Sequence, residues 1–264
     1  MRWGITMASD YRTKMQRPAS VVLAAIAVLG WLLALGIGLL NNGAYADSFG
    51  RQEAGSLTTE IRRMVTLNYL IYFPKEYGED KSKRWPLILF LHGAGERGSD
   101  LNKVKSLGPP KLVAEGKEMP FIIVSPQVPE RSTWDPEALD ALLDQIAVQY
   151  AVDEDRVYLT GVSMGGAGTW RLASAHPERF AALAPICGWG DPAMARRIGS
   201  IPTWVFHGAR DDIVPLQASQ EMVDALKQVG NEARLTIYPD AGHDSWTETY
   251  NNPALFEWFL SHKR

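Results

Sequence analysis

The chain has 264 residues, 46% apolar and 22% charged, which excludes a disordered or low-complexity protein. A single cysteine, Cys187, excludes an intrachain disulfide framework and any multi-cysteine metal site. The net charge of −3 with no basic stripe argues against a nucleic-acid partner.

Charge is unevenly spread. Arg2, Arg12, Lys14 and Arg17 against Asp10 give residues 1–46 a net +3, leaving −6 on the rest. These cations precede an apolar run of 20 residues, Val21 to Leu40, and then Ala44-Tyr45-Ala46. A basic region, an apolar region and an A-x-A site describe a signal peptide over 1–46, with cleavage expected after Ala46. The run is also long enough to span a bilayer, so an uncleaved anchor over 21–40 is the alternative. Both readings put residues 47–264 outside the cytoplasm, periplasmic or secreted, and only the anchor brings in a membrane.

Residues 47–64 are polar and aperiodic and read as a mobile lead-in. From Val65 the pattern alternates between short apolar runs and helical spacing up to residue 264. Val65–Phe73, Pro86–Leu91 and Phe121–Val124 read as strands, the last stopped by Pro126. Asp135-Pro136 opens a helix with Leu139, Leu142, Leu143, Ile146 and Tyr150 on one face. Arg156–Thr160 reads as a strand and 164–176 as a helix. Phe180–Ile186 and Thr203–His207 are further strands. Leu216–Val229 is an amphipathic helix, Leu235–Tyr238 the last strand and Pro253–His262 the last helix. Helices between buried strands mean crossover connections, hence a mostly parallel sheet with helices on both faces in one α/β domain, 65–264.

Gly161-Val162-Ser163-Met164-Gly165 matches G-x-S-x-G between a strand and a helix, the context in which a tight turn lifts a serine hydroxyl out of a sheet. The Met164 N–H then lies at a helix N-terminus, aimed at developing negative charge. A serine needs a base. Of the histidines after Ser163, His176 ends a helix, His262 lies in the tail, and His207 reads as a packing or turn-fixing residue. His243 sits in a short loop after the last strand, at the sheet edge where such folds place their sites. Asp211 and Asp212 both qualify by position as the orienting acid.

Gly93–Gly98 matches G-x-G-x-x-G, but no helix is expected to open within it, as a dinucleotide site requires. The better reading of His92-Gly93-Ala94-Gly95 is an oxyanion loop whose Ala94 N–H pairs with that of Met164.

With these segments located, the chain resembles the α/β-hydrolase superfamily over about residues 65–262. Leu91–Gly98, Thr160–Gly166, Phe206–Pro215 and Pro239–His243 look like the branch known as predicted peptidases, which is related to prolyl oligopeptidases, polyhydroxybutyrate depolymerases and feruloyl esterases. In that family's His-Gly-x-x-Asp-x-x-Val-Pro pattern the acid is four residues after the histidine, which implies Asp211. The resemblance implies an esterase site without metal or organic cofactor. There is no room for a large cap domain. Trp189, where relatives often carry a small residue, is expected to floor the substrate cleft, Trp134 to form its opposite wall, and Trp246 to line it. The expected activity is an exported Ser163–His243–Asp211 esterase acting on small-molecule or polysaccharide-linked carboxylic esters. The rivals are a serine peptidase of prolyl oligopeptidase type and a non-catalytic binding module.

Overall fold

The computed structural model describes residues 56–59 and 62–264. The leader expected over 1–46, and most of the lead-in, lie outside the described residues. Among the described residues no helix is long and apolar enough to cross a membrane.

Among the described residues seven strands form one sheet: β1 Asn68–Tyr72, β2 Trp85–Leu91, β3 Ile122–Gln127, β4 Val152–Val162, β5 Ala182–Ile186, β6 Trp204–Gly208 and β7 Arg234–Tyr238. Their order is β1-β3-β2-β4-β5-β6-β7. Only β1, at the edge, runs antiparallel; every other neighbouring pair is parallel. The helices are α1 Gly108–Ala114, α2 Pro136–Gln149, α3 Met164–Ala175, α4 Ala195–Ile198, α5 Leu216–Gln228, α6 Trp246–Asn251 and α7 Pro253–Leu260.

The continuous apolar run of β2 is explained by burial on both faces. Trp85, Leu87, Leu89 and Leu91 point into one core, with Leu139, Leu142, Leu143 and Ile146 of α2, Trp170 of α3, and Met222 and Leu226 of α5. Ile88 and Phe90 point into the other, with Leu112 of α1, Tyr250 of α6, and Leu255, Phe256 and Phe259 of α7. Each such side chain contributes about 1.5–3 kcal/mol on burial. The result is the α/β-hydrolase architecture: a mostly parallel sheet with a helical layer on each face.

One local expectation is corrected, and two helices join those expected. Pro126 does not stop β3; it stands opposite Tyr69, past the last pair with β2 at Leu89–Val124, where the sheet can spare an N–H donor. Gly108-Pro109-Pro110 opens α1, because proline at the first helical positions gives up only orphan donors. The short helix α6 was not visible as a periodic pattern; six residues are too few to show one. Elsewhere local chemistry decides. Asp135 caps α2 by accepting the N–H groups of Glu137 and Ala138, at 3.1 and 3.4 Å. No helix opens within 93–98; the next helical turn is a 3-10 segment, Leu101–Ser106.

Candidate active site

β4 runs straight into α3, and Ser163 is the residue between them. Its backbone is held at φ 53°, ψ −115°, outside the regions favoured by a residue with a Cβ. A turn this tight needs close neighbours. A Cβ on Gly161 would lie 2.4 Å from the Gly165 carbonyl oxygen, and one on Gly165 would lie 1.9 Å from that of Leu91. Both positions therefore admit only glycine. The Ser163 N–H donates to Ile186 O at 2.9 Å, so β5 anchors the strained residue.

His243 comes from the loop between β7 and α6, with its side chain 20% exposed. Its Nε2 lies 2.9 Å from Ser163 Oγ and its Nδ1 2.8 Å from Asp211 Oδ2. Asp211, in the loop after β6, has a fully covered side chain. Its Oδ1 accepts the N–H groups of Ile213 and Val214, both at 2.9 Å. Burial alone would raise its pKa; the hydrogen bonds from His243, Val214 and Ile213 outweigh burial and hold it below the ordinary value of 3.8. Asp212 is exposed.

His207 is the packing and turn-fixing residue that its place at a strand end suggested, and it also comes close to Asp211. It is fully buried, takes a hydrogen bond from Ser219 Oγ at 2.7 Å on Nδ1, and donates from Nε2 to Val214 O at 2.9 Å. The same Nε2 lies 3.1 Å from Asp211 Oδ2. It thus ties the 211–214 turn to β6 and faces the carboxylate that His243 also faces.

The loop after β2 is braced by its own histidine. His92 is buried; its Nδ1–H donates to Gly93 O at 2.6 Å and its Nε2 accepts the Val128 N–H at 3.1 Å. Burial is the main cause that pushes its pKa down to about 4, with the Arg97 charge adding and the Gly93 bond opposing. Beyond it, Ala94 is exposed on the loop, while Met164 is buried as the first residue of α3. The N–H of a first helical residue has no partner within the helix. An arrangement of this kind can move a proton from a hydroxyl to an imidazole and present backbone donors beside it.

A family model for the dienelactone hydrolase family matches residues 119–254, over half of the chain. The chain belongs to the dienelactone hydrolase family. A curated relative described as "Probable feruloyl esterase C", from Aspergillus terreus, is 26% identical over 210 residues, 77% of each chain. A bifunctional acetylxylan esterase/xylanase from Neocallimastix patriciarum is 31% identical over 180 residues, 66% of this chain and 26% of that one. Among solved structures, a thermostable esterase matches with a TM-score of 0.67 and 34% identity, over 76% of this chain and 60% of that one. This member of the dienelactone hydrolase family is thus an esterase-type α/β-hydrolase. It spans about three quarters of the first relative, three fifths of the solved esterase and a quarter of the bifunctional enzyme.

The three tryptophans separate in this dienelactone hydrolase family structure. Trp134, expected at a cleft wall, is 2% exposed and belongs to the core. Its indole N–H donates to His92 O at 3.1 Å, its ring meets that of His92 at 4.8 Å, and Gly168 leaves it room. It supports the loop from below and lines no cleft; the hydrogen bond to His92 O gives the indole an interior partner, so burial costs it nothing polar. Trp189 is 46% exposed on the loop after β5. Trp246 is part-buried and meets the His243 ring at 5.4 Å and 90°.

Cys187 Sγ, Asp211 and His243 bring ligand atoms within 4.8 Å of one another. A metal there would have to break the Asp211–His243 bond and deprotonate a buried thiol whose pKa burial pushes up to about 12.

Proposed function

We propose that the protein is an exported serine esterase that cleaves small-molecule or carbohydrate-linked carboxylic esters through an acyl-enzyme. One observation carries this reading: the unbroken hydrogen-bonded line from Ser163 Oγ through His243 to Asp211.

Ser163 Oγ attacks the acyl carbon while His243 Nε2 takes its proton. Asp211 holds the Nδ1–H tautomer and stabilises the imidazolium; the N–H groups of Ile213 and Val214 and the His243 imidazole keep it ionised as the charge forms. The N–H groups of Ala94 and Met164 receive the oxyanion, each worth about 3 kcal/mol in the transition state. His243 then gives its proton to the departing alkoxide. Water, deprotonated by His243, attacks the acyl-enzyme and frees Ser163.

Export is supported by the basic, apolar and A-x-A pattern of residues 1–46. An N-terminal sequence of the exported protein beginning at Asp47 is the expected outcome.

The test of the chemistry is a p-nitrophenyl ester series beside fluorophosphonate labelling, on the native protein and on Ser163→Ala. Turnover of short acyl esters and labelling of Ser163, both lost in the variant, are expected. Turnover retained by Ser163→Ala would refute the proposal. Cleavage of peptides without turnover of esters would replace it with the peptidase.

A further inference from the structure

β3 ends on Gln127, beside the loop after β2 that carries Ala94. The last parallel pair of the two strands is Leu89–Val124, so His92 and Gln127 leave the sheet level with one another. Gln127 is 2% exposed. Its Nε2 donates to Glu96 O at 2.7 Å and to Asp100 O at 2.8 Å. We infer, on the strength of the esterase reading above, that Gln127 is a positioning residue for the oxyanion. It holds the downstream half of the loop, so that the Ala94 N–H stays aimed at the developing charge.

The tip of this loop has nothing of its own to rest on. Ala94 and Gly95 are exposed, and nothing lies within 4 Å of where a Gly95 Cβ would stand. A donor on an unpacked tip takes its direction from the residues on either side. Upstream, His92 is fixed by its bonds to Gly93 O and to the Val128 N–H. Downstream, residues 96–100 form neither strand nor helix. They are tied to the end of β3 by the Gly98 N–H, which donates to Val128 O at 2.9 Å, and by the two bonds of Gln127. An exposed contact of Lys103 Nζ with Arg97 O adds to these. Glu96, two residues after Ala94, is the tie nearest the tip. Donors aimed in advance need no rearrangement as the oxyanion forms, and this is the source of their effect on rate. A loop held only on its His92 side keeps the donor and loses its aim.

The chemistry of the amide explains the residue type. Two carbonyls side by side call for two donors on one neutral atom, which a carboxamide NH2 supplies. Lysine or arginine would bury a charge without a partner, and serine carries a single donor. Asparagine is shorter by one methylene. The arrangement has a drawback: Gln127 Oε1 is buried and meets no donor among the described residues. A buried acceptor left in this way destabilises a fold. An apolar side chain of the same shape would serve stability better, so the amide answers to the loop it holds.

The experiment separates aim from fold. The native protein, Gln127→Met and Gln127→Asn are compared by kinetics on p-nitrophenyl butyrate, by thermal melts, and by inhibition with a trifluoromethyl ketone and its methyl ketone counterpart. Ser163 Oγ adds to the carbonyl carbon of the trifluoromethyl ketone while its proton passes to His243, which leaves an oxyanion that needs both backbone donors. The methyl ketone binds without this addition. Gln127→Met keeps the shape and removes both donors together with the orphaned acceptor. Its kcat and kcat/KM should fall equally, by about ten- to hundredfold, a share of what the loss of a whole oxyanion donor causes. The trifluoromethyl ketone should weaken by the same factor, and the methyl ketone by less than about twofold. Tm should stay at or above the native value, because the freed carbonyls belong to the half-buried Glu96 and the exposed Asp100, where water replaces the amide. Gln127→Asn, with the amide but a shorter reach, should fall between the two. Unchanged kcat and unchanged trifluoromethyl ketone affinity in Gln127→Met would overturn the assignment and leave the esterase standing. Equal weakening of both ketones with a lower Tm would overturn it as well, because that marks a residue that only holds the fold. No turnover of the ester by the native protein would overturn the esterase reading itself.

Discussion

At the scale of single residues, the polar groups of the site are set by burial and by what each atom faces. Asp211 shows the carboxylate case. Its charge is held by Ile213 N, Val214 N and the His243 imidazole, so Asp211→Asn keeps the shape but reverses what Nδ1 of His243 meets. Turnover of a p-nitrophenyl ester should fall by about 10⁴ with the fold intact, because the imidazole is then steered to the wrong tautomer. His92 shows the opposite case, a histidine kept neutral. Its pKa of about 4 in the folded chain lies below the ordinary value of 6.5, so the unfolded chain binds more protons between these limits. Its contribution to stability is therefore complete above pH 6.5 and is lost as the pH falls towards 4. The full effect is up to about 3 kcal/mol. Thermal melts between pH 7 and pH 4 should show a decline in Tm that is shallower in His92→Gln, which has no proton to gain.

At the scale of elements, the site depends on how closely the backbones of β2, β4 and α3 approach. Gly165→Ala would put a methyl group on the Leu91 carbonyl, and neither backbone can yield without moving a central strand. It should destabilise the protein by more than about 4 kcal/mol, or prevent soluble expression. Gly95→Ala is the control. Nothing lies within 4 Å of a Cβ there, so its denaturation midpoint should stay near that of the native chain. The elements themselves were largely legible in the sequence. β2 could be read from an unbroken apolar run, and α2 from a capping Asp-Pro and five apolar residues at helical spacing. The edges were less so: β3 passes through Pro126 because of which neighbours it has there, a matter of topology that a window of residues does not contain.

At the scale of the whole molecule, the strand order explains why distant segments converge. All strands but β1 are parallel, so the loops after β2, β4, β5, β6 and β7 emerge at one edge of the sheet and carry Ala94, Ser163, Trp189, Asp211 and His243. The chain's last helix closes the second core. Removing residues after Asn252 would strip Leu255, Phe256, Trp258 and Phe259 from that core. At about 1.5–3 kcal/mol each, their loss rivals the entire stability of a domain. The truncated chain should not yield a cooperative melt, although Ser163, Asp211 and His243 are all still present in it.

Local patterns were enough to read the alternation of strands and helices, the elbow around Ser163 and the glycine loop after β2, because each depends on neighbours a few residues apart. The same patterns singled out His243 and narrowed the acid to two adjacent aspartates, with resemblance choosing between them. They could not give the second histidine at Asp211, the post that Trp134 makes under His92, or the hold of Gln127 on the loop after β2. Those depend on contacts between residues far apart in the chain, and a tryptophan at a core post and one on an open loop look alike until the sheet order has decided which side of each faces the interior.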